Sequence, residues 1–476
     1  MAFNLKSWCD KEENRHEKLS NEYWNMQVGL SFEEKNIAAL EHDGEKNAKD
    51  FLSNAKTPKE LWFGSIGAIS SKALYKNYLE FQEVRKNKTA IFVKFKGKPV
   101  TWPTWRQFAA TAPDKERKKA FDEMITKAKV LEPTITTFFE TSKKIYADYD
   151  TDPLQEYLYN HRMTLSKLRE VLEELRDGIK KPFQKQSSEY FNEILGREME
   201  YYDDFYFLRN KIYDKVKIPK INPVQKAINT IQGLGLDCSK IKLDDEDRTG
   251  KYASPFMNSI RIPTDIRISY KPENPLNDLN SMYHEYGHAI HYSSIDPALP
   301  YWKKYCTSEG LAETWSIFFD TLLVIPDFLQ EIGFNEEIAE DISKRTNYAD
   351  LFAAAFYCAN SMFRINYWDK NLSIADCDEE YAKQIKKAMG IEIPGEYWKL
   401  HHILPENLMY VPSYMLAEMQ VANMHTNYAK EKGPHWWTHK ELGKELFNLM
   451  KPGTDSPLAE FSKINPKQMI RRLTRR

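Results

Sequence analysis

Residues 276–294 read LNDLNSMYHEYGHAIHYSS, and this stretch decides what kind of fold the chain adopts. An Asn-Pro pair directly precedes it, which suits the cap and first position of a helix. The stretch contains His284, Glu285 and His288 in the spacing H-E-x-x-H. Residues four apart lie on one helix face, with Cβ atoms about 5 to 6 Å apart. Two imidazoles at this spacing can therefore bind one Zn²⁺ ion.

The glutamate directly after the first histidine supplies the chemistry of such a site. Glu285 can reach a water beside the metal and take its proton. A catalytic zinc also needs a third protein ligand and an open position. Glu309 and Glu313 follow within the next predicted helix. One of these carboxylates can bind the metal while the other accepts the N–H of a ligand histidine, and the spacing alone leaves both assignments open.

The C-terminal third holds a second group of candidate residues. Residues 400–419 read LHHILPENLMYVPSYMLAEM, which places His401, His402, Tyr410 and Tyr414 close together. Imidazole and phenol groups can donate hydrogen bonds to an oxyanion that forms during amide hydrolysis. The sequence therefore offers donors for a hydrolytic site, and packing of a tyrosine-bearing helix on the core is the alternative.

Taken together, these motifs resemble the gluzincin metallopeptidases. More specifically they are similar to the thimet oligopeptidase and oligoendopeptidase F group, whose motif is H-E-x-G-H-x-x-H. Residues 312–316, AETWS, match that group's A-E-x-x-S pattern around the ligand glutamate. The resemblance implies that Glu313 binds zinc with His284 and His288, and that Glu309 supports a ligand histidine. The sequence S-E-G at Glu309 is also similar to the shorter-spaced thermolysin-like enzymes, which would reverse these two roles.

The same resemblance implies further roles. Tyr414 would be the main oxyanion donor and His402 a second catalytic contact, while Tyr410 and His401 would bind substrate. A further tyrosine of the group would fall at Asn407, so Tyr410 is a candidate to replace it. The group also has a histidine at the position of His291, where it would support the zinc helix.

The resemblance covers residues 234–424 and implies a mainly α, two-lobed metallopeptidase with a small β-sheet beside the zinc helix and a deep substrate channel. Prolines near residue 220 break the helical pattern. They divide the chain into an N-terminal helical lobe, residues 1–220, and a catalytic lobe, residues 221–476. Residues 266–270 alternate apolar and polar side chains, which predicts a strand. We expect its free edge to pair with an extended peptide.

The composition excludes several classes of protein. The 476 residues include 68 Lys and Arg against 69 Asp and Glu, a net charge of −1 that argues against binding nucleic acid or anionic membrane surfaces. The most apolar stretch, residues 315–325, is too short to span a bilayer and contains Asp320. The five cysteines form no C-x-x-C motif, which indicates a reducing compartment and a cytoplasmic location. Nothing in the sequence indicates an oligomeric state.

These observations predict a zinc-dependent oligopeptidase that acts on short peptides. A zinc carboxypeptidase or dipeptidyl carboxypeptidase of related fold is the first alternative, and it would need a cation in the channel to hold a C-terminal carboxylate. A non-catalytic peptide-binding protein is the second. Glu285 argues against a pure binding protein, since binding alone requires no general base.

Overall fold

The structure, a computed structural model, describes residues 4–86, 93–101, 104–204, 207–208, 211–216, 218–252, 254–272, 274–401 and 403–475. Helices dominate this part of the chain, which confirms the predicted mainly α fold class. The helices are α1 (Leu5–Gln27), α2 (Glu34–Leu52), α3 (Lys59–Lys86), α4 (Trp105–Thr111), α5 (Asp114–Lys127), α6 (Glu132–Ala147), α7 (Pro153–Asn160), α8 (Leu165–Leu195), α9 (Pro223–Gly233), α10 (Pro275–Ser294), α11 (Tyr301–Tyr305), α12 (Glu309–Asp320), α13 (Pro326–Glu331), α14 (Glu336–Asp369), α15 (Ile374–Met389), α16 (Val411–Lys432), α17 (Leu442–Met450) and α18 (Lys467–Thr474). Short 3₁₀ turns occupy Ala128–Leu131, Thr321–Val324, Gly395–Leu400, Trp436–Thr438, Gly453–Asp455, Pro457–Ala459 and Phe461–Lys463.

The strands form two small sheets. A hairpin joins β1 (Val93–Phe95) to β2 (Lys98–Val100). The second sheet has the order β3 (Ile241–Asp244), β5 (Asp265–Ser269), β4 (Phe256–Arg261), with β3 parallel and β4 antiparallel to β5. This sheet packs against α10, as predicted for the sheet beside the zinc helix.

The prediction that residues 266–270 offer a free edge is wrong. β5 is the central strand, because β3 and β4 pair with its two sides. Its alternating pattern reflects one buried face of the strand, which carries the fully buried Ile266 and Ile268. β4 is an edge strand of this sheet, and it also contacts α1 and α10.

The hydrophobic cores do not follow the predicted division of the chain. The larger core joins α8 and its neighbours to α14, α15 and the first half of α16. A second core surrounds α10 and α12. The predicted boundary between residues 220 and 221 therefore does not separate two cores, since α14 packs directly on α8. No helix in the described ranges is both long and apolar enough to cross a membrane.

Capping residues fix where the two helices that carry the site begin. Asn274 caps α10, and its Oδ1 accepts from the backbone N–H of Leu276 at 3.1 Å. Ser308 caps α12, and its hydroxyl accepts from the backbone N–H of Leu311 at 3.4 Å. These caps satisfy N–H groups that have no partner inside a helix.

A glycine sets the distance between α10 and α12. A Cβ atom at Gly287 would lie 2.7 Å from the Cα of Ser316, and closer still to the carbonyl oxygen of Trp315. Real carbon atoms do not approach backbone so closely, so the two helices can touch here only because residue 287 has no side chain. The contact lies within the H-E-x-x-H motif, which places the side chains of α10 directly opposite α12.

We predict that Gly287→Ala destabilises the protein by about 1 to 3 kcal/mol, because the extra methyl group must push the two helices apart. Urea denaturation measures the change. Gly67→Ala is the matched control, since an added Cβ there meets nothing within 4 Å and the position lies inside α3. Alanine is expected to stabilise that site by about 0.5 to 1 kcal/mol. Equal effects of the two substitutions would contradict the close packing at Gly287.

Candidate metal centre

Three predicted ligand side chains meet where α10 crosses α12. His284 and His288 project from α10, and Glu313 projects from α12. The Oε2 atom of Glu313 lies 3.5 Å from Nε2 of His284 and 3.7 Å from Nε2 of His288. One nitrogen or oxygen from each of the three residues falls within 4.8 Å of the others. Two imidazoles and a carboxylate at these separations form the donor set that a catalytic zinc uses.

An aspartate orients the first histidine. The Oδ2 atom of Asp320 lies 2.9 Å from Nδ1 of His284, which leaves Nε2 of the ring facing Glu313. A carboxylate in this position selects the tautomer of a ligand histidine and makes the ring a stronger donor. Asp320 ends the same helix that carries Glu313, so α12 supplies both a candidate ligand and the support for another.

Two hydroxyl groups hold the Glu313 carboxylate. The hydroxyl of Ser316 donates to Oε2 at 3.0 Å, and the hydroxyl of Tyr410 donates to Oε1. Glu313 is only 2% exposed, so a carboxylate there needs partners for both oxygens. Ser316 is the serine of the A-E-x-x-S pattern, and this hydrogen bond gives that pattern a physical purpose.

Burial and charge set opposite protonation states for the two histidines in the metal-free protein. Burial lowers the pKa of His284, but the hydrogen bond that its ring donates to Asp320 and the charge of Glu313 outweigh burial and raise the pKa to about 9. Burial lowers the pKa of His288 to about 4, although Glu313 acts in the opposite direction. A metal that binds both rings near neutral pH must therefore displace a proton from His284.

Glu285 lies beside the ligands in a position suited to proton transfer. Burial raises the pKa of its carboxyl to about 7, although the neighbouring charge of His284 lowers it. The backbone N–H of Met257, on edge strand β4, also donates to this carboxylate. A general base is most effective when its pKa is near the working pH.

Two cavities adjoin this cluster. The first, here called the Tyr414 cavity, has a volume of about 590 Å³ and is lined by Tyr414, His284 and Glu285. The second, the Tyr410 cavity, has a volume of about 490 Å³ and is lined by Tyr410 and Glu309. The rings of Tyr410 and Tyr414 lie 5.4 Å apart between centroids, so the linings of the two cavities come close together at these residues.

Four predicted site residues do not join this cluster or cannot be placed. His401 is buried among other groups: its Nε2 lies 3.1 Å from the Asn360 amide, and its Nδ1 accepts from the backbone N–H groups of residues 403 and 404. His291 is fully buried, and its ring packs 6.0 Å from that of Trp315 without a hydrogen bond to the cluster. His402 lies outside the described residues.

Glu309 is the fourth of these residues. Asp320, rather than Glu309, holds the ring of His284, and the Glu309 side chain faces the Tyr410 cavity. No described hydrogen bond joins Glu309 to the ring of His284 or His288, so the role of Glu309 in supporting a ligand histidine stays a prediction without a contact behind it.

Sequence reasoning also missed Asp320 as a functional residue. Its position seven residues after Glu313 places both on one face of α12, a signal that helical periodicity contains. Ser316 was part of a recognised pattern, but no role followed from it. Behind the cluster, Arg472 of the C-terminal helix contacts Asp350 at 2.6 Å and Glu418 at 2.8 Å, a network that only tertiary packing reveals.

The fold is that of known helical metallopeptidase structures. Metallocarboxypeptidase 1 from Trypanosoma cruzi superposes with a TM-score of 0.61 at 15% identity, over 98% of this chain and 97% of that one. A Bacillus anthracis protein named as an oligoendopeptidase F gives 0.63 at 14% identity, over 92% of this chain and 82% of that one. PZ peptidase A gives 0.65 at 13% identity, over 94% and 84% of the two chains. No protein-family model and no curated protein matches the sequence.

These matches confirm the predicted resemblance to helical metallopeptidases of the oligoendopeptidase F type. At such low identity they establish a shared fold. The chemistry of this chain must therefore be argued from its own side chains.

We predict that Glu313→Gln abolishes stoichiometric zinc binding, because an amide is a far weaker ligand than a carboxylate. Asp320→Asn is expected to weaken zinc about 10- to 100-fold through loss of the His284 support. Glu309→Gln should retain zinc, since Glu309 contacts none of the three ligands. Metal content after dialysis and competition with a chelating dye measure all three. A metal-free Glu309→Gln protein, with Glu313→Gln loaded, would reverse the assignment of the third ligand.

Proposed function

We propose that the protein is a zinc-dependent oligopeptidase that hydrolyses peptide bonds of short peptides. The observation that carries this proposal is the convergence of His284, His288 and Glu313 with Glu285 beside them. A hydrogen bond to Asp320 holds the ring of His284, and burial restricts the ring of His288. Both histidines are therefore fixed in place, as a preorganised metal site requires. The shared fold of the metallopeptidase structures supports the same conclusion.

In this proposal His284, His288 and Glu313 hold Zn²⁺, which would polarise the substrate carbonyl and acidify a water molecule. Glu285 accepts the proton of the attacking water and then donates it to the leaving amine. The hydroxyl of Tyr414 donates to the oxygen on which negative charge develops. Burial keeps the pKa of that phenol well above its usual value, so it remains a donor throughout.

The remaining features support a cytoplasmic enzyme that binds neither nucleic acid nor membranes. The near-zero net charge gives no basis for binding nucleic acid or membrane lipids. Five cysteines without paired motifs fit a reducing compartment. We assign peptides as the substrates, with β4, whose Met257 N–H donates to Glu285, as the strand beside the site.

A zinc carboxypeptidase is the second candidate. One observation favours it: the match to the T. cruzi metallocarboxypeptidase covers nearly the full length of both chains. The lining of the two cavities argues against it. Among their described lining residues none is Lys or Arg, so none of these residues is a fixed cation for a C-terminal carboxylate.

The test of the proposal is incubation of the zinc-loaded protein with acetylated peptides of graded length, with and without a chelator, followed by mass spectrometry. We expect cleavage that is lost with chelator and restored by zinc. Glu285→Gln should retain zinc but lower kcat by a factor of about 100 or more, because the general base is lost. Full activity of the Glu285→Gln protein would contradict the catalytic assignment.

The same peptides with free and with amidated C termini separate the two candidate activities. An oligopeptidase cleaves both forms at internal bonds. A carboxypeptidase releases C-terminal residues from the free form alone.

We predict that Tyr414→Phe lowers kcat by about 100-fold with little change in KM, because one oxyanion donor is lost. Tyr410→Phe is the matched variant. It removes the hydrogen bond to Glu313, so we expect weaker zinc binding and recovery of kcat at saturating zinc. Preserved kcat in Tyr414→Phe together with reduced thermal stability would show that Tyr414 only packs.

A further inference from the structure

The two cavities beside the metal centre differ in the partners of several of their acidic side chains. In the Tyr414 cavity, Asp320 contacts the His284 ring, and Asp350 and Glu418 share the guanidinium of Arg472. Each of these carboxylates thus has a side chain that is cationic or can become so. A charged substrate group would have to compete with these partners.

The Tyr410 cavity presents carboxylates without such partners. Glu156 and Glu309 both line it, and no described Lys or Arg forms an ion pair with either. The hydroxyl of Tyr146, a neutral group, donates to Glu156. No side chain in the described part of the chain donates a hydrogen bond to Glu309. A third carboxylate of the lining, Glu41, likewise accepts from a phenol, that of Tyr23, at 2.9 Å.

The pKa values of Glu156 and Glu309 show the consequence of this arrangement. Burial raises the pKa of Glu156 to about 8, and the charge of Glu309 adds to the shift. Burial also raises the pKa of Glu309, with a further contribution from Glu313. Because the charge of Glu309 opposes ionisation of Glu156, a cation placed between the two carboxyl groups would offset that repulsion.

Several aromatic rings also line the Tyr410 cavity. Phenol rings offer faces to a cation and apolar surface to the aliphatic part of a long side chain. The rings belong to Tyr23, Tyr75, Tyr78, Tyr146 and Tyr157. A volume of about 490 Å³ accommodates a long side chain with its backbone.

The position of Glu309 connects this cavity to the reaction. Glu309 lies one helical turn before Glu313 on α12, and the hydroxyl of Tyr410, another lining residue, donates to Glu313. A group bound at Glu309 therefore lies close to the candidate metal ligands, within reach of a peptide that spans the site.

We propose that the Tyr410 cavity is the subsite for a positively charged group of the peptide substrate, held by Glu156 and Glu309. The group is an ammonium or guanidinium, from a Lys or Arg side chain or from a free N terminus. This inference rests on the proposed peptidase function and defines its substrate class: peptides with a cation at one fixed distance from the cleaved bond.

The experiment walks a single lysine through every position of an N-acetylated, C-amidated peptide and compares each member with its norleucine counterpart. Norleucine keeps the aliphatic chain and removes the amine. We expect a preference for lysine of about 10- to 100-fold in kcat/KM at one position, as for a hydrogen bond to a charged group. The norleucine peptides repeated with a free N terminus show whether the terminal ammonium takes the same place.

The Glu156→Gln, Glu309→Gln double variant should lose most of this preference. Glu174→Gln is the matched control, since Glu174 is exposed on α8 and lines neither cavity. Kd values for the same peptides, measured by fluorescence polarisation on the Glu285→Gln protein, give the preference independently of cleavage. Circular dichroism confirms that each variant is folded.

The outcomes separate the inference from the proposed function. Cleavage of lysine and norleucine peptides at equal rates overturns the inference and leaves the peptidase intact. A lysine preference that survives in the double variant also overturns it. Absence of any cleavage by the zinc-loaded protein removes the proposed function, and equal Kd values for the two peptide series would then overturn the inference as well.

Discussion

The close approach of two helices at Gly287 is the constraint on which the rest of the site depends. α10 and α12 touch backbone to backbone there, which a side chain at residue 287 would prevent. The candidate ligands lie on either side of this contact: His284 and His288 on one helix, Glu313 on the other. Their separations of 3.5 and 3.7 Å follow from the helix distance, since side chains of fixed length cannot compensate for a wider gap.

Such a cluster is costly to bury, and the surrounding residues show how the fold tolerates it. An isolated buried carboxylate loses its hydration, a penalty that hydrogen bonds must offset. Ser316 and Tyr410 supply these bonds to Glu313, while Asp320 stabilises a charged His284. The metal-free cluster is thus a set of mutually supported charges with one strongly held proton. A divalent cation replaces that proton and gives both imidazoles and the carboxylate a common partner.

The sequence alone predicts the features of the site that depend on residues close together along the chain. The i, i+4 spacing of the two histidines and a glutamate on the next helix were predictable, because helix geometry determines which residues share a face. The central place of β5 was not, because strand order depends on pairing with residues distant in sequence. The same holds for His401, whose ring bonds to Asn360 and to its own loop rather than to the cluster. A motif indicates that a histidine is near a site, whereas tertiary contacts decide where its ring points.

Overall charge and local charge lead to different conclusions in this protein. A net charge of −1 exerts no strong long-range attraction on any class of ligand. Fields from individual carboxylates fade beyond about 8 Å at physiological ionic strength, but they remain strong inside a partly buried cavity. Glu156 and Glu309 therefore act only on groups that have already entered the Tyr410 cavity. Selection by charge then takes place after a peptide has bound, at the distance from the metal centre that α12 imposes, and it is insensitive to the charge of the rest of the surface.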